Sequence, residues 1–173
     1  LELMNRKHTI EEYLLIHKKL KMINKNIEFS SDFIIGYPGE EDEDFEKTMD
    51  LINKIKFINS YSFIYSPRPG TSAANLEVVD NDKTKKRLEI IQKKLFENQL
   101  ERNKSLENTV INVLVENKMK DGVKLFGRTE FMTSVIFDGS EENIGNIVQV
   151  KITGSNQNSL FGILKENYNK RVA

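Results

Sequence analysis

The sequence contains no cysteine. That excludes disulfides and any zinc or iron–sulfur site built on thiolates. It has only two histidines, His8 and His17, and no His/Asp/Glu cluster at metal-ligand spacing, so no metal site is expected. No apolar run approaches the roughly 20 residues of a membrane span, and no signal peptide opens the chain. No membrane association is expected, and the cytoplasm is the default compartment. An excess of charge of one sign is also missing: 26 Lys and Arg face 26 Asp and Glu. General electrostatic binders of nucleic acid are basic, so any RNA contact must rest on a local patch. Internal repeats and low-complexity linkers are absent. An initiator methionine is absent as well, because the chain opens Leu1-Glu2-Leu3-Met4. That opening is expected of a sequence entered midway.

What is present is enough for one medium domain or two small ones: 173 residues, 38% hydrophobic and 30% charged. Thr9-Ile10-Glu11-Glu12 has the capping-box pattern, followed by apolar residues at helical spacing at Tyr13, Ile16, Leu20 and Ile23. The segment Ile27 to Gly36 ends continuously apolar, as in a strand covered on both faces. Gly36-Tyr37-Pro38-Gly39 breaks it, and the acidic run Glu40 to Asp44 suits the first turn of a new helix with a stripe at Phe45, Met49, Ile52 and Ile55. A second strand, Tyr61 to Tyr65, stops at Ser66-Pro67-Arg68-Pro69-Gly70. A long helix over about 83–106 follows, with Leu88, Ile91, Leu95 and Phe96 in its stripe. The order α-β-α-β-α implies parallel strands joined by crossover helices. Two strands alone cannot close a barrel or cover these helices.

After about residue 103 the period changes. Five short segments alternate as strands: 110–115, 123–129, 133–137, 147–153 and 159–164. Turn residues separate them, notably Lys120-Asp121-Gly122, Asp138-Gly139-Ser140 and Gly154-Ser155-Asn156. Five strands in about sixty residues suggest a small closed barrel of the OB type. The expected domains are therefore 1–103, 104–167 and a tail at 168–173.

Three motifs carry a resemblance along nearly the whole chain. Met4-Asn5-Arg6-Lys7-His8-Thr9, with Glu11-Glu12-Tyr13, resembles the segment after the fourth barrel strand of radical S-adenosylmethionine (SAM) methylthiotransferases. Ser31-Asp32-Phe33-Ile34-Ile35-Gly36-Tyr37-Pro38-Gly39-Glu40 resembles their fifth strand and exit loop, and Phe63 to Thr71 their sixth. The final barrel resembles a TRAM domain, including Gly127-Arg128-Thr129 and Val135-Ile136-Phe137. The His8-Thr9 pair and the sixth-strand loop favour the branch that modifies isopentenyl-adenosine beside the tRNA anticodon. Ser72, where proline is usual, and Tyr37, where phenylalanine is usual, are small departures.

The resemblance implies a fold class of α/β plus all-β. The first part would be the C-terminal portion of a radical SAM (β/α) TIM-like barrel, and the second an OB-like five-stranded TRAM barrel. It implies SAM and [4Fe–4S] clusters in the intact enzyme. The family's three-cysteine motif is not in this sequence, so the isolated chain is expected to be non-catalytic. The expected partner is tRNA through its anticodon stem-loop, with the missing N-terminal part a candidate second chain. A free-standing RNA-binding module and a non-catalytic remnant are the alternative readings.

Functional residues of such barrels sit at the C-terminal ends of strands. Gly36, Pro38, Gly39 and Glu40 after the first strand, and Ser66, Arg68 and Gly70 after the second, occupy those ends. By resemblance they hold SAM and the target nucleotide, together with Asp32. The competing reading of Gly36 to Glu40 is a tight strand-to-helix turn, and that of Asp32 is a structural salt bridge. The acidic run reads as a solvated first helical turn rather than a metal site, and both histidines as surface residues. In the barrel, Lys118, Lys120, Lys124 and Arg128 cluster with Phe126, Phe131 and Phe137, the footprint of phosphate contact and base stacking. Lys118, Lys120, Lys124, Phe126 and Arg128 are the candidate RNA contacts, Arg128 foremost. At least two of the three phenylalanines are expected to fill the core.

Overall fold

A computed structural model describes residues 1, 3–120 and 122–165. The expected tail at 168–173, and Asp121 of one expected turn, lie outside the described residues. The first unit runs α1 (Ile10–Ile23), β1 (Asp32–Ile35), α2 (Asp42–Ile55), β2 (Tyr61–Ile64) and α3 (Asn81–Ser105). Thr9 and Glu12 make both bonds of the capping box at the start of α1, at 2.9 and 3.3 Å. Beyond that cap the expected stripe needs correcting. Ile16 and Ile23 are 54% and 83% exposed, and α1 packs by Tyr13 and Leu14 instead. His17 lies on that packed side too, and is half-buried rather than fully exposed. Its ring sits 4.5 Å from that of Phe29, and its Nε2 is buried with no hydrogen-bond partner among the described residues. The helix turns its 13/14/17/20 positions inward, and a lone imidazole fits there because Phe29 covers it.

Strands β1 and β2 pair in parallel, with Asp32 beside Tyr61 and Ile34 beside Phe63. Only one face of this sheet is covered. Phe33 and Ile35 pack with Ile52, Ile55 and Phe57 and with Ile91 and Leu95 of α3. Ile34, Tyr61 and Phe63 lie 40%, 65% and 53% exposed on the other face. The expectation of two covered faces fails because α2 and α3 lie on the same side. An apolar run reports strand character, not what lies across from each face. Phe96, expected in the α3 stripe, is likewise 49% exposed.

The second unit is a closed barrel in the order β3-β4-β5-β7-β6, built from β3 (Val110–Lys118), β4 (Lys124–Arg128), β5 (Ser134–Asp138), β6 (Ile147–Ser155) and β7 (Ser159–Leu164). All pairings are antiparallel except β5 with β7. This is the OB-like arrangement, and closure leaves no edge strand. Val113, Val115, Leu125, Val135, Phe137, Val150, Ile152 and Leu160 fill it. Gly127 is required by that closure. A Cβ there would lie 2.4 Å from the Leu114 carbonyl oxygen and 2.6 Å from Val113 Cγ1. Thr129 then turns the chain, its Oγ1 accepting from the backbone N–H of Phe131 and of Thr133, both at 3.2 Å.

Candidate strand-end site and nucleic-acid interface

The loop after β1 is held by a buried clamp. Arg87 of α3 is 3% exposed. Its guanidinium meets Glu40 Oε1 at 2.5 Å, the Glu40 carbonyl at 3.3 Å and Asp42 Oδ1 at 2.6 Å, and lies 5.3 Å from the Phe45 ring centre. The other Glu40 oxygen accepts the Gly36 N–H at 2.8 Å. Glu40 is thus engaged at both oxygens, with its side chain 12% exposed. Gly36 sits at φ +73°, and a Cβ on it would meet Thr84 Cγ2 at 2.6 Å and Oγ1 at 2.7 Å. Its glycine character serves the contact of loop with helix. Pro38 is buried beside it. The acidic run forms the α2 N-terminus: Asp44 accepts the Glu41 N–H at 3.0 Å, and Asp42 also bonds Lys83 at 3.0 Å. Lys83 and then Arg87 hold the Asp42 carboxyl below its usual range.

The remaining strand-end candidates are open to solvent. Gly39 and Gly70 take φ +85° and +83° with open space where a Cβ would stand. Ser66 and Arg68 are exposed on the loop after β2, and the Arg68 carbonyl accepts from Thr71 Oγ1 at 2.8 Å. Asp32 instead opens β1, at the end of the strand away from these loops, and is exposed on the uncovered face of the sheet, where charge is hydrated. Tyr37 and Tyr65 stack edge to face at 5.1 Å between the two loops. The residue that sequence reasoning missed is Arg87. Its only signal was an arginine at i+3 and i−4 from Thr84 and Ile91 on a helix whose apolar stripe is interrupted there.

On the barrel, Lys124, Phe126 and Arg128 form one outward row along β4, because Leu125 and Gly127 point in. The Arg128 guanidinium lies 5.3 Å from the Phe126 ring centre. It is fixed there by Glu116 at 3.3 Å and the Met132 carbonyl at 3.1 Å. Lys118 turns to Glu141 at 2.5 Å, which lowers the Glu141 pKa, and Lys120 is exposed in the β3–β4 loop. Registers extend the row across the wall: Phe126 pairs Ile136, and Ile136 pairs Phe161. All three are half-buried. Phe161 was not among the sequence candidates, although its place between inward Leu160 and Gly162 marks it. Of the three phenylalanines first considered, only Phe137 is in the core, at 1% exposed. Phe131 instead lies under Arg102, 5.7 Å from the guanidinium carbon, where the barrel meets α3.

The donor set does not fit an iron–sulfur cluster. The chain has no thiolate, and the described residues contain no group of three His, Cys, Asp or Glu able to hold a metal. Among the described residues, no helix is long and apolar enough to cross a membrane.

Residues 1–52, the first half of the first unit, match the Radical SAM superfamily, and residues 104–165, the barrel, match the TRAM domain. The protein class is therefore a stretch of radical SAM fold joined through α3 to a TRAM barrel. Along its whole length the chain is similar to part of curated tRNA-modifying synthases. It is 72% identical over 173 residues, all of this chain, to the tRNA-2-methylthio-N(6)-dimethylallyladenosine synthase of Pelagibacter ubique. It is 48% identical over 165 residues to the synthase of that name from Ruthia magnifica, and 45% over 166 residues to that of Yersinia enterocolitica. These alignments cover 95% of this chain. The chain spans 39%, 37% and 35% of the length of these three relatives.

Proposed function

We propose that the chain supplies the RNA-binding barrel and the last strand–helix units of an enzyme that methylthiolates N6-isopentenyladenosine beside the anticodon of tRNA, in the cytoplasm. The observation that carries the reading is the outward row Lys124, Phe126 and Arg128 on a closed OB-like wall, continued by Ile136 and Phe161. Flat apolar side chains next to cations suit unpaired bases and their phosphates. Arg128 covers the Phe126 ring, so the stacking surface offered to a base is the guanidinium plane and the neighbouring Phe161. Lys118 and Lys120 lie beside this wall, at the β3–β4 end.

In the intact enzyme a [4Fe–4S] cluster would supply the electron that cleaves SAM, with its ligands outside this chain. Here Gly39, Ser66, Arg68 and Gly70 line the accessible strand-end edge for SAM or the target nucleotide, and Gly36, Pro38 and Glu40 hold that edge in shape, while Asp32 stands apart at the N-terminal end of β1. The uncovered face at Ile34, Tyr61 and Phe63 supports completion of the sheet by further strands, in the same polypeptide or a partner.

The test is titration of the chain with an anticodon stem-loop, with and without the isopentenyl group, across a salt series. Binding that weakens with salt and is lost in Arg128→Ala supports the reading. A folded chain that ignores both RNAs at low salt refutes the RNA-binding role.

A further inference from the structure

The two units are joined by more than the covalent run of α3. Small polar interfaces between units usually permit relative motion. This one is polar, but its central amide is buried and the two beside it are half-buried and hydrogen-bonded. Asn103, in the last turn of α3, is 0% exposed. Its Nδ2 donates to the carbonyls of Asn156 and Gln157 in the β6–β7 loop, at 2.8 and 3.2 Å. Its Oδ1 accepts from Gln99 Nε2 at 3.0 Å. Gln99 Oε1 in turn accepts the backbone N–H of Asn59 at 2.8 Å. Asn59, held at φ 46° just before β2, donates from Nδ2 to the Phe131 carbonyl in the β4–β5 loop at 2.7 Å. One continuous relay therefore leaves the barrel at one loop, crosses the first unit and re-enters at a second loop.

Both loops lie at the same end of the barrel, since Ser134 pairs Ser159. Arg102 reinforces that end, over the Phe131 ring and 2.8 Å from Glu28. Directional bonds at two loops resist both sliding and rotation, and hydrogen-bonded side-chain networks shielded from water favour one arrangement.

We propose that Asn59, Gln99 and Asn103 are positioning residues that lock the barrel and the β1–β2 unit into one body. RNA lying along the β4 wall is thereby presented at a fixed distance from the strand-end loops. Only this last consequence rests on the RNA-binding reading.

The full chain suits the test, because it has no cysteine. Cysteines introduced at exposed Glu46 of α2 and exposed Glu142 of the barrel would carry two spin labels, and pulsed electron resonance would read the distance between them. The parent should give a single narrow distance. Asn59→Gly keeps the left-handed backbone and deletes only the Phe131 bond. Asn103→Asp sets a carboxylate against two carbonyls. Each should lose the narrow distance while stem-loop affinity holds at the parent value. If Asn103→Asp fails to fold, Asn59→Gly decides. A broad distance in the parent, a narrow one in Asn59→Gly, or lost RNA affinity in a folded variant overturns the proposal. A narrow parent distance without RNA binding refutes the RNA reading and leaves the lock standing.

Discussion

Replacing Arg87 by methionine keeps the apolar stem over Phe45 and removes the charge that Glu40 faces. The Arg87 and Glu40 side chains are 4% and 12% exposed, so the pair is shielded from water on both sides. Breaking a buried pair by removing one partner typically costs about 3–5 kcal/mol, because the other charge is left uncompensated. Glu40 keeps its Gly36 N–H, which places the expectation near the lower end, at about 3 kcal/mol. Asp42, with a side chain 74% exposed, adds little. With a urea slope of roughly 1–3 kcal/mol/M, the midpoint should fall by about 1–3 M. The assay is urea unfolding followed by separate probes of the two units, and the loss should fall on the first unit. Adding Glu40→Gln to Arg87→Met should recover part of it, since the stranded charge is then gone. A loss below about 1 kcal/mol for Arg87→Met would refute the clamp, because that is the range of exposed ion pairs.

Gly36→Ala should destabilise the same unit by about 2–4 kcal/mol in the same assay, since it adds left-handed backbone strain to a collision with Thr84. Thr84 cannot swing freely, because its Oγ1 donates to the Asp80 carbonyl at 2.9 Å. Gly127→Ala should cost at least about 3 kcal/mol or prevent barrel closure, read from barrel amide exchange, because the obstructing atom is backbone. Burial first, then Lys21 and Lys54, holds the His17 imidazole below its usual pKa of 6.5. The unfolded chain therefore takes up the proton first, and stability should fall as pH drops below 6.5 toward the lowered folded value. Thermal unfolding of His17→Phe should show that slope removed.

The five barrel strands were legible because each alternates in and out against a single core, with turn residues between them. The capping box of α1 was legible for a similar reason: it is a local pattern needing only Thr9 and Glu12. What could not be read were contacts made across units or across the sheet. Nothing near Arg87 in sequence shows Glu40, which lies 47 residues away. Asn59, Gln99 and Asn103 look like ordinary surface amides until α3 is laid against two barrel loops. Ile34 read as buried because apolar character is local while cover is not. The candidate RNA wall was half legible. Phe126 and Arg128 stood out by composition, but Phe161 joins them only through the β5–β7 register, and Phe137 leaves them by facing inward.

The proposed function places RNA on the outer wall of β4, β5 and β7. Its most direct test is a backbone and side-chain NMR titration of the chain with an anticodon stem-loop at low salt. Shifts concentrated at Lys124, Phe126, Arg128, Ile136 and Phe161, and abolished by raising the salt, are the predicted result. Shifts confined to the opposite β3–β6 wall, or none at all, would contradict it.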